Sequence, residues 1–171
     1  MILHLEKPMK IEISEHIEGT FDTSTTTYQY ILDNGEPILI GSVYPVHNEG
    51  LFMAFNINPE HQRMGIGKKA FLMAYDKYSI KFDIKYIAAS WRIDLEYSHL
   101  DDSASSNLTV FNESLANGLG IQESALSTPT GKWATSIGYT HVEILRVFDQ
   151  LVEVNFHKIA PVKLSETREI T

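Results

Sequence analysis

The strongest constraint on this 171-residue chain is a change of hydrophobic period around Pro59. Leu51 to Ile57 is an almost continuous apolar run, the pattern of a strand covered on both faces. Pro59 interrupts it. From Gly65 the apolar positions Ile66, Ala70, Phe71, Ala74, Tyr75 and Tyr78 recur at helical spacing. Tyr86 to Trp91 then reads as another buried strand. The helix is therefore a crossover between two interior strands.

The flanking segments place this unit inside a larger sheet. Met9 to Glu15 alternates apolar and polar residues, and Thr26 to Leu32 is β-branched and aromatic. Asn34-Gly35 favours a tight hairpin turn, and Pro37 to Tyr44 is the next strand. Further on, Leu108, Phe111 and Leu115 predict a short helix ending near Asn117-Gly118. A last helix should begin around Ser127 or Thr128, with Pro129 in its first turn, and end at Ile137-Gly138. His141 to Phe148 and Leu151 to Ile159 read as closing strands joined at Asp149-Gln150. Antiparallel strands at both ends around a crossover helix predict an α+β fold, with a mixed, mostly antiparallel central sheet flanked by helices. The expected organisation is one domain over 1–159, a helical insert at about 93–127, and a polar tail over 160–171.

Composition narrows the chemistry. There is no cysteine, which excludes disulfides, thiolate zinc sites and a cysteine nucleophile. No apolar run approaches the ~20 residues of a membrane span, and no signal-peptide core is present in Met1 to Lys10. The expectation is a cytoplasmic protein without a membrane partner. The net charge of −8 disfavours nucleic acid as a partner. No histidine pair has metal-site spacing, so no metal is expected.

Against that charge, the segment after Pro59 is locally basic. Arg63, Lys68 and Lys69 fall within seven residues, and His61 to Phe71 contains no acid. Gln62, Gly65 and Gly67 form Q-x-x-G-x-G at the start of the helix. Glycines let backbone N–H groups approach a ligand, and the helix aims its positive end at the same place. The combination suits a phosphate or pyrophosphate. A plain tight connection is the bland alternative. A dinucleotide fingerprint, Gly65-Ile66-Gly67-Lys68-Lys69-Ala70, fits poorly, because several antiparallel strands come first and Asp83 precedes the next strand instead of ending it. A Walker A loop fails, with Gln62 at its first glycine and Lys69 where Ser or Thr belongs.

At these residues the sequence resembles the GNAT family of N-acetyltransferases. Ile57-Asn58-Pro59 stands for the family's V-x-P, and Gln62, Gly65 and Gly67 keep its glycine-loop offsets. Phe71-Leu72 follows in the helix, and Ser136-Ile137-Gly138-Tyr139 resembles its L-G-F segment. The resemblance covers about two-thirds of the chain. It implies a GNAT-like fold that binds acetyl-CoA, or another acyl-CoA, as co-substrate. Gln62, Arg63, Met64, Gly65, Ile66, Gly67 and Lys68 would hold the pyrophosphate, and Phe55, Asn56, Ile57 and Asn58 would flank the pantetheine arm. An amine acceptor, a small molecule or a protein, would attack the thioester directly.

Two family features are missing. Many relatives carry a glutamate five or six residues before the proline, where this chain has Met53 and Ala54. Many carry a tyrosine four residues before the L-G-F glycine, where this chain has Ala134. Asp94 and Glu96, after the strand ending near Trp91, are the substitute bases to consider, and Tyr139 the substitute acid. Solvated acids and a packed tyrosine are their bland readings. His47 is a further, weaker base candidate in the loop before the central strand. The nine residues from Ile17 to Thr25 leave no room for the two helices that usually wall the acceptor site in that family. The insert, with six acids and no Lys or Arg from Ile93 to Gly131, is expected to cover that gap and to suit a cationic acceptor. The alternative reading is a catalytically silent GNAT-like module that binds a basic partner protein. The C-terminal edge strands suit pairing in a homodimer.

Overall fold

A computed structural model describes residues 11–17, 24–31, 37–61, 64–92 and 107–162. The fold is α+β: the described residues form a seven-stranded mixed sheet in the order β1-β2-β3-β4-β5-β7-β6, with four α-helices. β1 (Ile11–Ile17), β2 (Ser24–Ile31), β3 (Pro37–Val46) and β4 (Gly50–Ile57) form an antiparallel meander. The helix α1 (Ile66–Ser79) crosses over to β5 (Tyr86–Arg92), which runs parallel to β4. After α2 (Asn107–Ala116), α3 (Ile121–Ser127) and α4 (Pro129–Ser136), the chain returns as β6 (His141–Phe148) and β7 (Leu151–His157). β7 inserts between β5 and β6, antiparallel to both. β1 and β2 pair from Ile17–Ser24 onward, so only residues 18–23 join them.

The period change at Pro59 places the core. On β4, Leu51 and Met53 are buried, and Phe55 and Ile57 pack against the same cluster. α1 covers them with Ile66, Gly67, Ala70, Phe71, Ala74 and Tyr78, one helical stripe whose alanines and glycine allow close approach to the sheet. On the far side of β4, β5 contributes Ile87, Ala89 and Trp91 at period two, and β7 contributes Val152, Val154 and Phe156. No helix among the described residues is long and apolar enough to cross a membrane.

One feature departs from the sequence expectation. α3 is an additional helix inside the insert. Its buried residues, Ser124 and Ala125, are small and give no apolar stripe. Its start shows only as the Glu123 carboxylate accepting from the Gly120 N–H at 3.4 Å. α2 packs on β5 and α3, and its first residue, Asn107, shares the wall of a cavity with Gly41 and Ser42 of β3. Residues 93–106 of the insert and the β1–β2 connection lie outside the described residues. Leu108 and Phe111 anchor α2, with the Phe111 ring 5.9 Å from that of Trp91. The turn between Asn34 and Gly35 lies outside the described residues.

Candidate active site

The site begins where two parallel strands part. β4 and β5 pair only at Gly50–Tyr86, Leu51–Ile87 and Phe52–Ala88. Each strand then continues along its other neighbour, β4 to Ile57 opposite Leu39 and β5 to Arg92 opposite Leu151. Extending the lost register would set Phe55 beside Trp91. A cavity of about 470 Å³ opens there instead, between Phe55, Asn56 and Ile57 on one side and Trp91 and Arg92 on the other. α2 roofs it with Asn107, Leu108 and Val110. A smaller cavity of about 210 Å³ adjoins it, sharing Phe55, Asn56, Trp91 and Asn107 and adding Ser42, Ala54 and Ser90 among its walls.

The start of α1 closes one end of the larger cavity through Gly65, Ile66, Gly67 and Lys68. A single 3₁₀ turn, Pro59–His61, carries the chain out of β4, and His61 also lines the cavity. Gly65 sits at φ 78°, ψ 4°, and a Cβ there would meet nothing within 4 Å. It is the left-handed residue that turns the loop into the helix, and its outer side is open. Gly67 does a different job. A Cβ there would fall 2.5 Å from Ile57 Cδ1 and 2.6 Å from Trp133 Cη2, so this glycine lets the helix start sit tightly on β4 and α4. The sequence reading gave both glycines to ligand approach; both line the cavity, and Gly67 has this packing role as well.

α1 begins without a side-chain cap and without an acid in its first turn. Its first N–H groups and the positive end of its dipole are thus available to an anion. α4 offers a contrast at the same cavity. Thr128 Oγ1 accepts from the Gly131 N–H at 3.0 Å, and Asn107 Oδ1 accepts from the Thr130 N–H at 2.9 Å. The start of α4 is thereby consumed internally, and what it offers the cavity is Lys132 and Trp133. Lys68, Arg92 and Lys132 come from three different elements, and no carboxylate stands among the described lining residues. The walls between these cations are largely apolar. The arrangement suits a ligand with an anionic head and a narrow, weakly polar chain.

The structure brings together Phe55, Asn56, Ile57, Gly65, Ile66, Gly67 and Lys68 of the expected ligand residues. Met64 is exposed beside them, and Asn58 is turned to its own loop, its Oδ1 accepting from the Glu60 N–H at 3.1 Å. Gln62, Arg63, Asp94 and Glu96 lie outside the described residues. Tyr139 is not brought to the cavity. It is fully buried, its hydroxyl donates to the Ile84 carbonyl at 2.6 Å and lies 3.2 Å from the Tyr75 hydroxyl. Burial first, and then the Tyr75 hydroxyl, push its phenol far above the ordinary value. This is the packing role, and it holds α1 and the β6 entry to the loop before β5. His47 is exposed, at φ 51° in the β3–β4 turn. Sequence reasoning missed Trp91, Arg92, Asn107 and Lys132 as cavity residues, because only the fold carries α2, α4 and the end of β5 to one place.

No family profile matches the sequence, and neither does any curated protein. Among solved structures, the chain is similar to the ribosomal-protein-S18-alanine N-acetyltransferase from Escherichia coli, at 11% identity and TM-score 0.40 over 85% of this chain and 75% of that one. It is also similar to a GNAT family acetyltransferase from Elizabethkingia anophelis with acetyl-CoA bound, at 14% identity and TM-score 0.41, covering 86% and 97%. The GNAT domain of S. lividans PAT matches at 16% identity and TM-score 0.39, covering 78% and 60%. The likeness is one of fold.

Proposed function

We propose that this chain binds an acyl-CoA, with acetyl-CoA the first choice, between β4 and β5, and transfers the acyl group to an amine. The observation that carries the reading is the opening between the two parallel strands, which leads to the uncapped start of α1 at Gly65. The pyrophosphate would lie at Gly65 to Lys68, with Lys68 and Lys132 as nearby cations. The acyl-pantetheine arm would run along Phe55 to Ile57 under Leu108 and Val110.

In the reaction the amine lone pair attacks the thioester carbonyl carbon. A C–N bond forms, the C–S bond breaks, and the thiolate leaves. A backbone N–H near the end of β4 would polarise the carbonyl. The amine's proton passes to solvent and the thiolate takes one from it. Met53 and Ala54 stand where a family base is common, and Ala134 where an acid is common. Positioning therefore supplies most of the acceleration, and kcat/KM should rise with pH until the acceptor amine itself is deprotonated. The acceptor is an amine of a small molecule or a protein.

The test is titration calorimetry with acetyl-CoA, followed by release of free thiol across a panel of amines and basic peptides. Saturable binding with turnover supports the reading. Binding without turnover on any acceptor assigns the chain to the silent, partner-binding class. No binding removes the proposal.

A further inference from the structure

Among the described residues, three buried side-chain polar atoms lack a hydrogen-bond partner: His61 Nδ1, Trp91 Nε1 and Ser124 Oγ. Two of the three belong to residues that line the larger cavity, one on each flank of the opening. Leaving a buried polar group unpaired is costly, so each such group asks for a reason. Trp91 is the more informative. It is only 4% exposed, and its ring packs against those of Phe111 at 5.9 Å and Phe156 at 6.4 Å. It also walls both cavities. An indole N–H is a donor only. Its partner must therefore be an acceptor, and an ammonium is excluded.

We propose that Trp91 Nε1–H donates to a carbonyl oxygen of the acyl-pantetheine chain, so that Trp91 selects a carbonyl-bearing chain from the β5 flank. His61 is the second polar contact, at the end of the same cavity nearer α1. This rests on the acyl-CoA reading above. Nε1 is enclosed by its neighbours, so a small rotation of the ring toward the cavity accompanies binding.

The test compares wild type with Trp91→Phe, which keeps the aromatic packing and removes the N–H. Affinity is measured for acetyl-CoA and for adenosine 3′,5′-bisphosphate, which lacks the chain. The expected result is a loss of roughly 5- to 30-fold for acetyl-CoA and no change for the bisphosphate. Equal affinity of variant and wild type for acetyl-CoA, or an equal loss for both ligands, overturns the inference. Failure of wild type to bind acetyl-CoA at all overturns the acyl-CoA reading instead.

A second measurement does not depend on that variant folding. The chain has two tryptophans and hence two indole N–H resonances. Either Trp91→Phe or Trp133→Phe identifies which is which. Saturating acetyl-CoA should move the Trp91 resonance downfield, and the bisphosphate should leave it in place. A Trp91 resonance unmoved by bound acetyl-CoA overturns the proposal.

Discussion

Replacing Gly65 by Asn and by Asp separates backbone from charge at the start of α1. Gly65 has φ 78° and open space where a Cβ would go, so neither side chain clashes. An L residue in the left-handed region costs roughly 1–2 kcal/mol, and Asn and Asp fall at the low end because both tolerate it. For a chain of this size about 1 kcal/mol corresponds to a fall in Tm of ~2–4 °C, similar in the two variants. The two side chains are nearly the same size and differ in one charge. At roughly 5 Å from a bound phosphate, one charge pair is worth ~0.8 kcal/mol in water and ~3 kcal/mol at an effective dielectric of ~20. Gly65 is exposed, so the lower half of that range applies. About 1–2 kcal/mol makes Asp bind acetyl-CoA roughly 5- to 30-fold more weakly than Asn at low salt. The Debye length shrinks from ~10 Å at 0.1 M to ~3 Å at 1 M, so the ratio should approach one at high salt. Titration calorimetry at both ionic strengths reads this directly. Equal dissociation constants for the two folded variants at low salt would refute the placement of an anion at this helix start.

Three further outcomes follow from the same geometry. Gly67→Ala should lower stability by about 1–3 kcal/mol, because its methyl meets Ile57 and Trp133; a melting temperature equal to wild type would show that α1 does not need that close approach. Tyr139→Phe should destabilise by roughly 1–3 kcal/mol, since it strands the buried Ile84 carbonyl, while the KM for acyl-CoA stays unchanged. The wild-type phenol is raised in the fold, so it keeps its proton when the unfolded tyrosine, with a pKa of about 10, has lost its own. Its contribution is thus complete below about pH 10 and is lost above it, and denaturant titrations from pH 8 to 11 should show Tyr139→Phe with a shallower alkaline decline. Ala54→Glu puts a carboxylate on the wall of the smaller cavity, five residues before Pro59. It should raise the transfer rate at neutral pH about tenfold or more if proton removal limits the reaction, and an unchanged pH–rate profile would show that proton removal is not limiting.

The elements with a strong period were legible from residues alone. β4, α1 and β5 follow from an unbroken apolar run, a helical stripe and a second apolar run, and each starts or ends within a residue or two of its expected place. The α4 start was equally legible, because Thr128 and Pro129 carry their own capping chemistry. α3 was not, since a two-turn helix burying Ser124 and Ala125 has no hydrophobic signature. At the site, the glycine loop and its cations were visible as a local reversal of charge. Gly65 and Gly67 looked interchangeable in sequence, because spacing does not report φ or the distance to Trp133, 66 residues further along the chain in numbering.

By itself the sequence determined the local structure of the crossover unit and the local excess of positive charge after β4. These depend on neighbours a few residues apart, through hydrophobic period, glycine conformation and charge. Tertiary structure alone decided that β4 and β5 separate after Phe52 and Ala88, and that Trp91, Asn107 and Lys132 meet at the opening. It also decided that Tyr139 is turned into the core. Those outcomes depend on where β7 inserts and on which face of the sheet each helix covers, and they reach across segments whose local patterns carry no record of one another.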